Sequence, residues 1–256
     1  MSNGWRRFAL GWLLVAVGCS GTPRKEAVLL VGRSINPHWS EVLAPAVAAP
    51  DREVSVVDVT GRTAAEALKP WLKRHQRLII VPMTVSEADP MVGALREAVA
   101  GRAAAAVVTP PGADDLMVNA IMARALRLSQ RRSQEGLFVV MDLPQGADVK
   151  AAKDTVERLA EKIGHSVDFR PTRGFVWQGE ATSSDLATQA KAVLRPLVIA
   201  YTVNPGPMTF DMRNQLHGFR YVLDGEGILN DTYYRDWLRG AVGQAATSVA
   251  SQPIPK

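Results

Sequence analysis

A single cysteine, Cys19, in a chain of 256 residues leaves no partner for an internal disulfide and no cysteine cluster for a metal. Histidine is nearly as scarce. His38, His75, His165 and His217 stand far apart, and no HExxH, CxxC, GxSxG or Walker phosphate loop occurs. The zinc-peptidase, nucleophile-elbow hydrolase and P-loop readings therefore have no motif to rest on. Charge of one sign is also thin: the formal net charge is +5, and no basic run is interleaved with aromatics, so nothing marks a nucleic-acid surface. What remains is ordinary for a globular protein, 47% hydrophobic and 21% charged. At roughly 100–200 residues per domain, the length suits one or two domains.

The first twenty residues differ from the rest. Arg6 and Arg7 precede an apolar run, Phe8–Val17, which ends in Gly18-Cys19-Ser20. A basic start, an apolar stretch and small residues describe a secretory signal. The run is too short to cross a bilayer, which takes ~20 residues. The placement of Cys19 resembles the bacterial lipobox, with Ala16 where Leu is usual. The resemblance implies cleavage, lipidation of Cys19, and a membrane-anchored protein of the cell envelope. An uncleaved anchor and an ordinary signal with a coincidental cysteine are the alternatives. Residues 1–19 are then leader and residues 20–26 a tether.

Beyond the tether, apolar strands alternate with amphipathic helices. Strands are expected at Ala27–Val31, Val54–Val59, Arg77–Val81, Ala104–Thr109, Leu137–Met141, Gly174–Trp177 and Leu197–Tyr201. Helices are expected at Trp39–Ala48, Thr63–His75, Met91–Ala100, Asp114–Ser133, Ala147–Gly164, Ser183–Leu194, Met208–His217 and Asp231–Ala245. This order predicts an α/β fold with parallel sheets. The chain also repeats itself. Leu78–Met91 (LIIVPMTVSEADPM) and Leu197–Met208 (LVIAYTVNPGPM) share an apolar strand, Thr-Val, a polar loop and Pro-Met at a helix start. A repeat this long is a duplicated domain. It divides the chain into modules at 27–133 and 134–245, with the junction near Ser129–Gly136 and a disordered tail at 246–256.

The order of landmarks resembles the class II chelatases, the sirohydrochlorin cobaltochelatases and ferrochelatases of tetrapyrrole and cobalamin biosynthesis, in their two-module form. Ala27–Trp39, Arg77–Val99 and Thr109–Leu126 carry the likeness, and Leu216–Trp237, with Tyr221, Asp224-Gly225-Glu226-Gly227 and Trp237, is its most specific part. The resemblance implies two flavodoxin-like modules facing across a cleft, and a metal chelatase (lyase) using Co²⁺ or Fe²⁺. Family members usually carry His-Gly-Ser after the first strand and a second histidine after the third. Here Gly32 is followed by Arg33-Ser34, and the later loop reads Ser86-Glu87-Ala88-Asp89-Pro90. Imidazole both ligates such metals and takes up protons near neutral pH. Arginine stays protonated and does neither.

The candidate residues follow. Arg33, Ser34, Ser86 and Asn204 lie in loops after strands, where ligands bind in such sheets. Arg33 suits a carboxylated ligand, or pairs with an acid of the chain. His38, Glu87 and Asp89 form a candidate metal set. Their alternative is structural: His38 in a first helical turn, Ser86 as cap with acids behind it. Asp224 and Glu226, between glycines, read as a turn. Three functions stay open: a degenerate chelatase-like lipoprotein binding a metal, a tetrapyrrole or a partner; an active chelatase with a rearranged site; and a periplasmic small-molecule binder.

Overall fold

An unbroken apolar run is the mark of a parallel strand buried on both faces. Two such runs, near Ala27 and Leu137, sit inside two separate sheets in the computed structural model. The structure describes residues 26–34, 38–204 and 206–252. The leader, Cys19, most of the tether and residues 253–256 lie outside them. The first half runs β1 (Glu26–Gly32), α1 (His38–Val47), β2 (Arg52–Asp58), α2 (Ala64–Arg74), β3 (Arg77–Pro82), α3 (Pro90–Ala98), β4 (Ala105–Val107) and α4 (Asp115–Leu128). The second runs β5 (Glu135–Met141), α5 (Val149–Ser166), β6 (Thr172–Val176), α6 (Glu180–Ala190), β7 (Arg195–Tyr201), α7 (Pro207–Gln215), β8 (Val222–Asp224) and α8 (Thr232–Ala250). This is the α/β architecture the alternation predicts, as two four-stranded, all-parallel, flavodoxin-like sheets ordered β2-β1-β3-β4 and β6-β5-β7-β8.

The halves share register as well as order. Glu26 opens β1 opposite Arg77 of β3, and Glu135 opens β5 opposite Arg195 of β7. Acids before helices serve as caps. Asp89, Asp114, Asp148 and Asp231 each accept a first-turn N–H, and Thr63 with Glu66 forms a capping box on α2.

Alternate side chains of each central strand enter different cores, as a pleated strand requires. Ala27, Leu29 and Val31 pack under α2 and α3, and Phe138 and Val140 pack with α6 and α7. Val28 and Leu30, with Leu137, Val139 and Met141, enter one core common to both sheets. The last helix of each half crosses over to build it. α8 packs against β3, β4 and α1 of the first half, while α4 packs against β7 and α5 of the second. The sheets divide between β4 and β5, but the helices do not follow that division.

One buried ion pair fastens the crossing of α4. Arg124 donates to Asp224 through Nη2 (2.7 Å) and Nε (3.1 Å), and to the Ala200 carbonyl at the end of β7 (3.2 Å). It also donates to the Glu226 carbonyl. The two side chains are only 6% and 3% exposed. Burial pushes the Asp224 carboxyl up. The hydrogen bonds and charge of Arg124, aided by the Glu226 amide and Arg127, outweigh it and hold the group below its usual value.

Three expectations are corrected. Asp224 closes a short strand, β8, and faces the interior, so it is more than part of a turn; three residues between turns were too short to show as a strand. The chain does not become a tail at residue 246. α8 continues to Ala250 because Val249 is buried and Arg77 donates to the Ala250 carbonyl (3.4 Å). Glu26, assigned to the tether, begins β1 and pairs with Arg52 at 2.7 Å.

Arg124→Met should cost about 3–5 kcal/mol, because it strands a buried carboxylate. Urea unfolding measures this, and the double variant Arg124→Met/Asp224→Leu should recover most of the loss. The folded-state pKa of Asp224 is the depressed one. Its contribution is therefore complete above the unfolded value of about 3.9 and disappears as pH falls through the folded value. The stability gap between the wild type and Asp224→Asn should shrink over that acid range.

Candidate functional site

In sheets of order 2-1-3-4, the strand order reverses between the first and third strands, and a crevice opens at their carboxyl ends. Both sheets turn that end toward a shared cleft of about 220 Å³. β1 delivers Arg33 and Ser34, β3 leads to Thr84 and Asp89, β5 delivers Asp142, and β7 leads to Thr202 and Asn204. No helix of the described residues is long and apolar enough to cross a membrane.

The loop after β1 is shaped by a close approach. A Cβ on Gly32 would lie 2.8 Å from Cζ3 of Trp39 and 3.1 Å from Cβ of Met83. Trp39 thus packs directly on the backbone, and it lines the cleft at 3% exposure with no hydrogen-bond partner for its indole N–H among the described residues. Ser34 adopts φ 52°, uncommon for a residue with a side chain. Its amide donates to Thr60 Oγ1 at 2.8 Å, and the Thr60 hydroxyl donates to Asp58 at 2.7 Å. Those Thr60 contacts, side chain first and then amide, hold the Asp58 carboxyl below its usual value.

Arg33 reaches across the crevice to Asp89, donating at 3.1 and 3.3 Å to its two oxygens. Asp89 is 3% exposed and also caps α3, accepting from the Met91 amide at 2.8 Å. Asp142 holds the position in the second half that Arg33 holds in the first, one residue past the end of its central strand. No cation among the described residues pairs with it. Burial pushes its carboxyl up, the Leu143 amide opposes that, and negative Asp89 pushes it up further, leaving it above its usual value. Thr202 donates to the Asn204 carbonyl at 3.1 Å.

Of the residues singled out from the sequence, Arg33, Ser34, Asp89 and Asn204 line this cleft. Ser86 is buried behind it, where its hydroxyl accepts from the Ala88 amide at 3.1 Å. Glu87 points elsewhere, pairing with Arg96 and lining a separate cavity beside Lys162. Glu87 and Asp89 are therefore not brought together. His38 opens α1, but its side chain lies outside the described residues. Among the described residues, no group of three His, Cys, Asp or Glu is placed to hold a metal ion. Sequence reasoning passed over Asp142, Trp39, Thr84 and Thr202. The signal for Asp142 was the equal length of the two central strands, which puts it in the frame of Arg33.

No protein-family model matches the chain, and no curated protein matches it in sequence. Solved structures do match in fold. SirB from Bacillus subtilis, solved with Fe³⁺, superposes with a TM-score of 0.63 at 13% identity, covering 89% of this chain and 98% of that one. DR2241 from Deinococcus radiodurans, a multi-domain protein with structural similarity to chelatases, gives 0.56 at 14% identity. That match covers 88% of this chain and only 55% of DR2241, which has two additional domains. The chain thus has a chelatase-like fold; likeness at this identity extends to the fold alone.

Gly32→Ala forces its methyl into the ring of Trp39. Overpacking costs about 1–3 kcal/mol, which exceeds the ~0.4–1 kcal/mol gained by stiffening the unfolded chain. Urea unfolding should show net destabilisation, and tryptophan fluorescence should change as Trp39 gives way.

Proposed function

We propose that this chain is a binding protein built on the chelatase-like fold, anchored by lipid at Cys19, which takes a small polar ligand in the cleft and does not insert metal into a macrocycle. The observation that carries the reading is the Arg33–Asp89 pair. A chelatase has to hold a divalent ion and accept the protons displaced from the macrocycle. At the end of β1 this chain has a guanidinium, which accepts no proton and repels a dication. It also engages both oxygens of Asp89, one of the two carboxylates lining the cleft among the described residues.

Size supports the same choice. Pockets for drug-sized ligands span about 300–1,000 Å³. A cleft of about 220 Å³ falls below that range, and a carboxylated tetrapyrrole is larger than such a ligand. The competing reading, an active cobaltochelatase or ferrochelatase using His38, requires several carboxylates free to join it, and Asp142 is the one left free in the cleft among the described residues. Glu87 and Asp89 are both engaged.

Incubation of the protein with sirohydrochlorin and Co²⁺ or Fe²⁺ should produce no metallated product by absorption spectroscopy. Calorimetry with Co²⁺ and Ni²⁺ should show no tight binding. Turnover, or tight Co²⁺ binding abolished by His38→Ala, would overturn the reading. The anchor rests on the Gly18-Cys19 sequence and the apolar run before it. Acyl chains contribute ~0.8 kcal/mol per buried methylene. Cys19→Ala should move the protein from the membrane fraction to the soluble fraction on fractionation.

A further inference from the structure

We propose that the ligand of this cleft is a small organic monocation, an amine or guanidine that also carries an acceptor oxygen, with its cationic head on Asp142. The inference rests on the reading of the cleft as a binding site and adds the chemical class of its occupant.

The charges decide the sign. Three charged side chains line the cleft among the described residues: Arg33, Asp89 and Asp142. Arg33 and Asp89 neutralise one another at 3.1 Å. Asp142 is left with a half-buried carboxyl and no cation among the described residues. An isolated acid placed near a second acid is electrostatically unfavourable. A ligand with one positive charge relieves it, an anion meets net repulsion, and a neutral ligand leaves it uncompensated.

The uncharged wall specifies the rest. The indole N–H of Trp39 has no partner among the described residues, although the residue is 97% buried on the cleft wall. Buried donors almost always find an acceptor, and an orphan calls for an explanation. An oxygen on the ligand supplies one. Ser34, Thr84 and the Asn204 amide add donors and acceptors on both sides of the cleft. The volume, about 220 Å³, suits a small molecule. Divalent metal ions are a poorer match. They take four to eight ligands, and here one of the two carboxylates is already engaged by Arg33.

Calorimetry on the purified full chain tests this with matched probes. Ethanolamine and glycinamide are the cations, ethylene glycol and acetamide the neutral analogues, glycolate the anion, and Mg²⁺ and Zn²⁺ the metals. The cations should bind, and the others should bind at least about ten-fold more weakly. Asp142→Asn keeps the shape of the side chain and removes the charge. It should lose cation affinity by about ten-fold or more while its circular dichroism and its melting temperature without ligand stay at or above the wild-type values. Equal binding of neutral or anionic probes, unchanged affinity in Asp142→Asn, preference for a metal ion, or no cation binding in the millimolar range would each overturn the inference. The reading beneath it fails differently, by metal incorporation into sirohydrochlorin.

Discussion

The guanidinium of Arg124 is the point on which the rest of the structure depends. It is buried with Asp224, and burying two charges costs several kcal/mol each unless their hydrogen bonds are satisfied. They are satisfied only in one arrangement. α4 must lie across the second sheet, β8 must stand beside β7, and the Ala200 and Glu226 carbonyls must face the same guanidinium. Hydrophobic packing alone is non-directional and would tolerate many placements of an amphipathic helix. The ion pair tolerates one. It also fixes where β7 ends, and hence where Thr202 and Asn204 enter the cleft.

From that placement follows a molecule whose halves match in backbone and differ in charge. Both central strands begin with a glutamate that is neutralised by an arginine, Arg52 for Glu26 and Arg195 for Glu135. Burial raises the Glu135 carboxyl, but Ser129, the Gln130 amide and Arg195 lower it further than burial raises it. At the other end of the same strands the symmetry breaks. Arg33 and Asp142 occupy corresponding positions with opposite signs, and Asp89, on the first half alone, takes the arginine. A duplicated scaffold has thereby acquired an asymmetric cleft, with its charge concentrated on one acid.

Much of this was legible in the sequence because period and composition report local structure directly. Apolar runs located the strands, Asp114 and Asp231 announced helix starts, and the Thr-Val/Pro-Met repeat exposed the doubling, whereas the cap of α3, read at Ser86, is Asp89. The exchange of α4 and α8 was not legible. An apolar helix face states that it must be covered, but not by which sheet. β8 was too short for periodicity, and Asp224 looked like a turn residue because its partner lies 100 positions away. At the cleft, loop position placed Arg33, Ser34 and Asn204 on the wall. It did not separate Glu87 from Asp89, because two residues on, a loop can face the other way. Asp142 required comparing the halves residue by residue, since nothing in its own surroundings is distinctive.

The common core also limits what the cleft can become. In a two-lobed protein whose lobes meet only at a linker, a large ligand enters when the lobes rotate apart. Here Leu30 and Val81 of the first sheet share one core with Val139 and Ile199 of the second, through Ile121 of α4 and Leu238 of α8. Tyr234, rooted on α8, reaches Met83 at 4.0 Å, and Tyr201 donates across to the Gly112 carbonyl. Separating the sheets would expose that surface at roughly 25 cal/mol per Å², so a few hundred Å² would consume a large share of the ~5–15 kcal/mol that typically holds a domain folded. The opening is therefore set by the packing of the common core and not by a hinge between the sheets.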